Sequence, residues 1–232
     1  MKDFLSASAF FGAAVSICGY YLGLFLQKRF KKAIFNPMLI AVLFVAGMLL
    51  LLDIPYETYY ASAKYISWWL TPATVCLAIP LYEQFEILKK NAFSLLLSVL
   101  AGTLASFFSV FLLSLLFRLD YAQYVTLLPK SVTSAIGLGL VEEYGGYGSI
   151  AVAVIIVSGI FGNMFAEGLL RLFRITMPLA KGLAIGTCSH AIGTAKALEM
   201  GEMEGAMSSL AIVVSGLLTV ALMPVFVEIY PL

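Results

Sequence analysis

Apolar residues in this chain run in long uninterrupted stretches, parted by short polar breaks. No repeating two-residue alternation marks a strand, and the stretches are long enough for helices that cross a bilayer, which need about 20 residues each. Eight segments are predicted: Phe4–Leu26, Asn36–Leu52, Tyr65–Tyr82, Asn91–Phe117, Tyr121–Val141, Tyr147–Leu170, Lys181–Leu198 and Gly205–Val227. The first is too long for a signal-peptide core and ends in the basic QKRFKK rather than a cleavage site, so it reads as a retained helix. The second opens on Asn36-Pro37, with proline suited to a first helical turn.

Several segments are broken inside. Pro72 and Pro80 interrupt the third, Pro129-Lys130 the fifth, and Gly182, Gly186, His190 and Gly193 the seventh. Non-helical backbone at membrane depth is tolerated only inside protein or beside a wet cavity. A broken helix also frees backbone N–H groups at one half-helix N-terminus, where an anion is favoured.

Composition sharpens the class. Hydrophobic residues make up 62% and charged ones 12% of 232 residues, and mean hydropathy is +1.00. Soluble domains run about 45–50% apolar and about 25% charged, so lipid has to meet the excess. The chain reads as one transmembrane domain over residues 1–232. A net charge of +1 gives no general attraction to nucleic acid. Cys18, Cys76 and Cys188 lie far apart in apolar stretches and form neither a metal-ligand spacing nor a disulfide framework. No metal or other cofactor is expected. No HExxH, GxSxG or Walker A pattern is present, and an enzyme is not expected.

Charge sets the expected topology. Nine of the fourteen Lys and Arg fall at Lys28/Arg29/Lys31/Lys32, Lys89/Lys90 and Arg171/Arg174/Lys181, which the positive-inside rule places in the cytoplasm. Eight full crossings would put Arg171 and Arg174 outside. Letting the fifth segment dip in and return removes the conflict. The predicted fold is an all-α polytopic membrane protein of about seven spans plus one re-entrant segment. Its N-terminus is out, its C-terminus in, and Glu199, Glu202 and Glu204 are outside. Segments two to four and six to eight then form oppositely directed triplets with a broken middle member, the plan of an inverted repeat.

The candidate substrate-binding residues sit at the breaks: Thr71, Pro72 and Thr74; Lys130, Ser131, Thr133 and Ser134; Thr187, Ser189, His190 and Thr194. A lysine inside an apolar segment is costly and marks function by default. Asn163 and Glu167, one turn apart, are candidate coupling or gating residues with Lys196 and Glu199. Glu167 could pair with Lys130 or with Lys196, or stand at the cytoplasmic interface.

The runs PKSVTSAIG and GGYGSIAVAVIIVSGIFG resemble the LrgB/CidB membrane-protein family. So do LTPATVCLAIPLYEQ, GLAIGTCSHAIGTAKALE with the following EGAMSSLA, and NPMLI at 36–40. The motifs occur in the family's order over nearly the whole chain, with Ser134-Ala135 where many members have Thr-Pro. The resemblance implies a bacterial cell-membrane protein with a small LrgA/CidA-like membrane partner, and it leaves a homo-oligomer open. It implies two different roles. One is a holin- or antiholin-like modulator of murein hydrolase activity and autolysis. The other, shared with the plastid glycolate/glycerate transporter, is carriage of small carboxylates such as glycolate, lactate or pyruvate. The residue chemistry favours the carrier, since a hole requires a wide wet path rather than broken helices bearing one Lys and one His.

Overall fold

The computed structural model describes residues 10–30, 35–76 and 78–231, apart from the side chains of Ser67, Leu70, Thr71, Thr74, Pro80, Leu81 and Leu88. The described residues are helical, with no strand among them. They divide into two compact units, 1–76 and 77–232.

The first unit holds α1 (Phe11–Phe30), α2 (Pro37–Leu52), α3 (Tyr56–Ser67) and α4 (Leu70–Cys76). Asn36 caps α2 as its sequence suggests, its Oδ1 accepting from the Met38 and Leu39 backbone N–H groups, with Pro37 in the first turn. Asp53 ends the helix in the left-handed conformation. Phe11, Val15 and Ile54 are buried between α1 and α2. On the other side of α1, the Gly12 N–H donates to Ser62 Oγ at 2.6 Å and Ser16 pairs with Tyr59 Oη at 2.7 Å. The third predicted segment is not one crossing. Its residues are shared among α3, α4 and α5 (Ala78–Glu83).

The second unit contains α5, α6 (Phe85–Phe117), α7 (Tyr121–Leu127), α8 (Ser134–Glu143), α9 (Gly148–Leu172), α10 (Pro178–Met200) and α11 (Glu202–Ile229). Among the described residues, three helices are long and apolar enough to cross a membrane, over 89–117, 148–172 and 202–229. At most 33% of each crossing window is buried, and large apolar side chains such as Leu112 and Leu217 are exposed, as a lipid-facing surface requires.

Between these spans the chain doubles back twice. Hairpin 1 is α7, a turn over 128–133, and α8. It starts sharply: Arg118 ends α6 in the left-handed region, and Asp120 and Gln123 form a reciprocal capping box on α7. Pro129, with no N–H to give, stops α7. The chain beyond α8 folds back onto α7, since the Tyr147 N–H donates to Thr126 Oγ1 at 2.8 Å. Tyr124 stacks on Tyr230 with ring centroids 4.0 Å apart, and Tyr230 Oη donates to the Leu119 carbonyl at 2.6 Å. The base of hairpin 1 therefore lies at the end where α6 and α11 finish. The fifth predicted segment is thus two short helices joined by a turn.

Hairpin 2 is α10 itself. His190 has φ 42 and ψ −139, which reverses the helix. A Cβ placed on Gly193 would lie 3.2 Å from the Ile185 carbonyl oxygen. In a straight helix those residues are about 12 Å apart along the axis. The two arms thus run antiparallel, and both ends of α10 lie together. Lys181 of the first arm sits 3.8 Å from Glu204 at the start of α11, while Lys196 of the second arm sits 2.8 Å from Glu167 near the end of α9. Gly186 lets α11 approach the first arm, where a Cβ would come within 2.8 Å of Ala211 Cβ.

This corrects the expected topology. The seventh segment is not a crossing, so Glu199, Glu202 and Glu204 share an end with Arg171 and Lys181 rather than lying opposite them. By the same count α11 runs away from that basic end, and the C-terminus is not on the basic side. By length a 23-residue helix passes for one span, but here its middle residue turns it around.

Candidate functional site

The two hairpins insert from opposite ends of the second unit, and their tips approach the same stretch of α6. Leu95 and Val99, early in α6, pack with Leu183, Ala206 and Met207. Phe107 and Val110, later in it, pack with Tyr124, Phe226 and Tyr230. Between these clusters, Gly102 lies against Thr187 of hairpin 2 and Ser106 against Ser131 of hairpin 1.

Lys130 occupies the tip of hairpin 1. Its ammonium donates to Ser106 Oγ and Ser131 Oγ, both at 3.1 Å, and these two hydroxyls are 3.2 Å apart. Among the described residues no carboxylate pairs with it. A cationic group is thus half-buried at mid-length of a span, held only by neutral oxygens. Such a group is stabilised by an anion that supplies the missing charge.

Beside it is a cavity of about 10 Å³, lined by Thr103, Ser106, Ser131, Thr187, Ser215 and Thr219 with Phe107, Leu128 and Pro129. That is room for about one water. Ser131 and Thr187 reach it from the two hairpins. Thr103, Ser106, Ser215 and Thr219 come from α6 and α11 and were not singled out in the sequence. Their signal was present: hydroxyl residues one turn apart in otherwise apolar spans share a face.

The remaining candidates have different places. Thr133 is the extended residue preceding α8 and Ser134 opens that helix. Both are half-buried. His190 is 3% exposed and does not line the cavity. Its Nε2 is 3.0 Å from the Ile155 carbonyl, which can only accept, so this nitrogen carries the proton. Thr194 donates to the His190 carbonyl at 2.9 Å and is 2.7 Å from Ser208 Oγ. Ser189 packs against Gly162, and Asn163 Nδ2 donates to the Ile192 carbonyl at 2.9 Å. These groups hold the reversal at His190, a strained positive-φ residue that persists because its surroundings fix it.

Glu167, Lys196 and Glu199 form an ion-pair chain at the base of hairpin 2, away from Lys130, with Lys196–Glu199 at 3.1 Å and Arg171 3.5 Å from Glu167. Of the partners considered for Glu167, Lys196 is the one it meets. Thr71, Pro72 and Thr74 belong to α4 in the first unit. Pro72 is exposed, and the side chains of the two threonines lie outside the described residues.

Residues 16–229 match the family model described as the LrgB-like family. The chain is 37% identical to the Antiholin-like protein LrgB of Bacillus subtilis (strain 168), over 96% of each chain. It is equally identical to proteins of that name from Bacillus cereus (strain B4264) and Bacillus anthracis (strain CDC 684 / NRRL 3495), over 94% of this chain and 95% of theirs. No solved structure gives a significant match.

Proposed function

The chain belongs to the LrgB-like family, and we propose that it is a secondary carrier of a small carboxylate bound where the two hairpin tips meet. The observation that carries this reading is Lys130, held by Ser106 and Ser131 with no acidic partner among the described residues. A small carboxylate supplies the counter-charge. The N-termini of α8 and of the second arm of α10 begin at the same tips, and their dipoles add to the attraction.

The second observation in its favour is an internal likeness. Thr133–Gly137 reads TSAIG at the tip of hairpin 1, and Ser189–Gly193 reads SHAIG at the tip of hairpin 2. Each hairpin is followed by a span carrying a related run, IIVSGI at 155–160 and IVVSGL at 212–217. We read hairpin 1 with α9 and hairpin 2 with α11 as an inverted repeat, with different boundaries from the triplets expected at first. Exchange of conformation between two such halves exposes one site to each side in turn. With Lys89, Lys90, Arg171, Arg174 and Lys181 at the base of hairpin 2, the positive-inside rule sets that end in the cytoplasm of a bacterial cell membrane.

The names of the relatives favour a second reading, an antiholin-like role with an LrgA/CidA-like small membrane partner. Such a role needs assembly and places no demand on Lys130. A thermal-shift panel on purified protein separates the two. Under the carrier reading a small carboxylate raises the melting temperature by mass action, and Lys130→Ala abolishes the shift. An absence of any shift across glycolate, lactate, pyruvate and acetate would favour the antiholin-like role.

A further inference from the structure

The hydroxyl-lined cavity is smaller than any carboxylic acid, yet two of its hydroxyls face it without a protein partner. Thr187 is 5% and Thr219 2% exposed. Both line the cavity, and among the described residues neither hydroxyl makes a hydrogen bond to another protein group, which leaves both oxygens open to the cavity. The rest of the lining is committed. Thr103 donates to the Val99 carbonyl at 2.9 Å and Ser215 to the Ile212 carbonyl at 3.2 Å. Ser106 and Ser131 accept from Lys130 and share one hydrogen between them. The donors left over are the hydroxyls of Thr187 and Thr219, one serine hydroxyl and the remaining Lys130 N–H, beside hydroxyl lone pairs that can still accept.

A cation is disfavoured there, because the ammonium is one hydroxyl away and no carboxylate lines the cavity. A single anionic oxygen fits both the space and the donors.

We propose that Thr187 and Thr219 form an inner subsite for one oxygen of the substrate carboxylate, with Lys130 taking the other. This rests on the carrier reading. A carboxylate has two equivalent oxygens, and the two walls match that symmetry, with Ser131 and Lys130 from one hairpin and Thr187 from the other. Thr219 closes the cavity from α11, so it selects for a carboxylate over a neutral isostere. The rest of the substrate lies on the open side of the tips.

The test is equilibrium binding of radiolabelled lactate, glycolate and pyruvate to the purified full-length protein, with competition by the corresponding neutral amides. Thr219→Val keeps the shape and removes the donor. It weakens carboxylate binding about tenfold or more, the worth of a hydrogen bond to a charged group, and narrows the preference over the amide. Thr219→Ser restores both. Thr187→Val tests the same subsite from the other wall. Undiminished carboxylate binding and preference in folded Thr219→Val and Thr187→Val overturn the subsite and leave the carrier reading standing. No saturable binding of any of the three acids to the unsubstituted protein overturns the carrier reading and the subsite with it.

Discussion

Ser131 and Thr187 line one cavity from two hairpins that insert from opposite ends. That pairing gives Lys130 its significance, because the ammonium bonded to Ser131 is the one cation at this junction among the described residues. Lys130→Met removes the charge while keeping most of the bulk. Carboxylate affinity falls roughly 10- to 100-fold, the range for charge-assisted hydrogen bonds. Unfolding is affected little, since a buried cation without an acidic partner is not a source of stability. Binding isotherms and melting curves on the same preparation check both halves. A large stability loss with unchanged affinity would make Lys130 structural.

Thr194 ties the reversal at His190 to α11. Its hydroxyl donates to the His190 carbonyl, so at 2.7 Å it accepts from Ser208. Thr194→Val leaves both a buried carbonyl and a buried donor unmet and costs about 1–3 kcal/mol. Ser208→Ala removes one bond and strands no donor, so it costs about 0.5–1.5 kcal/mol. Chemical unfolding in detergent reads the order of the two. Equal losses would mean that the reversal is held by other contacts.

The ion pairs at the base of hairpin 2 are unequal. Glu167 has a side chain 44% exposed, whereas Glu204 is 10% exposed against Lys181. Glu167→Gln therefore changes stability by less than about 1 kcal/mol, as for exposed pairs generally. Lys181→Met leaves a buried carboxylate without its cation and costs about 1–3 kcal/mol. Melting temperatures of the two variants rank the pairs, and the reverse ranking would argue against the described burial.

Doubling back of α10 fixes which residues share a side of the membrane. In a cysteine-free background, Arg171→Cys and Glu199→Cys react with an impermeant thiol reagent from one side, and Glu143→Cys reacts from the other. Labelling of position 199 together with 143 would restore a straight crossing and remove hairpin 2.

Much of this was legible in the residues. Asn36-Pro37 announced a capped helix, and Pro129 announced the break that separates α7 from α8. Hairpin 2 was not legible from charge. His190, an ordinary helix residue by propensity, adopts a backbone conformation that nothing local requires. The bond to Ile155, the packing of Ser189 on Gly162 and the Asn163 link to Ile192 impose it, and all three come from α9. The role of the His190 ring was hidden as well. Its place among hydroxyl residues at a helix break made it a binding candidate, and in the fold its Nε2 donates to the Ile155 carbonyl. Thr219 was passed over although it lies one turn from Ser215 on the same face of an apolar span.

The central claim, a carrier site at two opposed hairpin tips, is tested most directly in proteoliposomes loaded with unlabelled carboxylate. The account predicts saturable uptake of labelled lactate, glycolate or pyruvate, accelerated by the same acid inside and lost in Lys130→Ala, while a large entrapped dye is retained. Release of dye and acid together, independent of size and unchanged in Lys130→Ala, would contradict it.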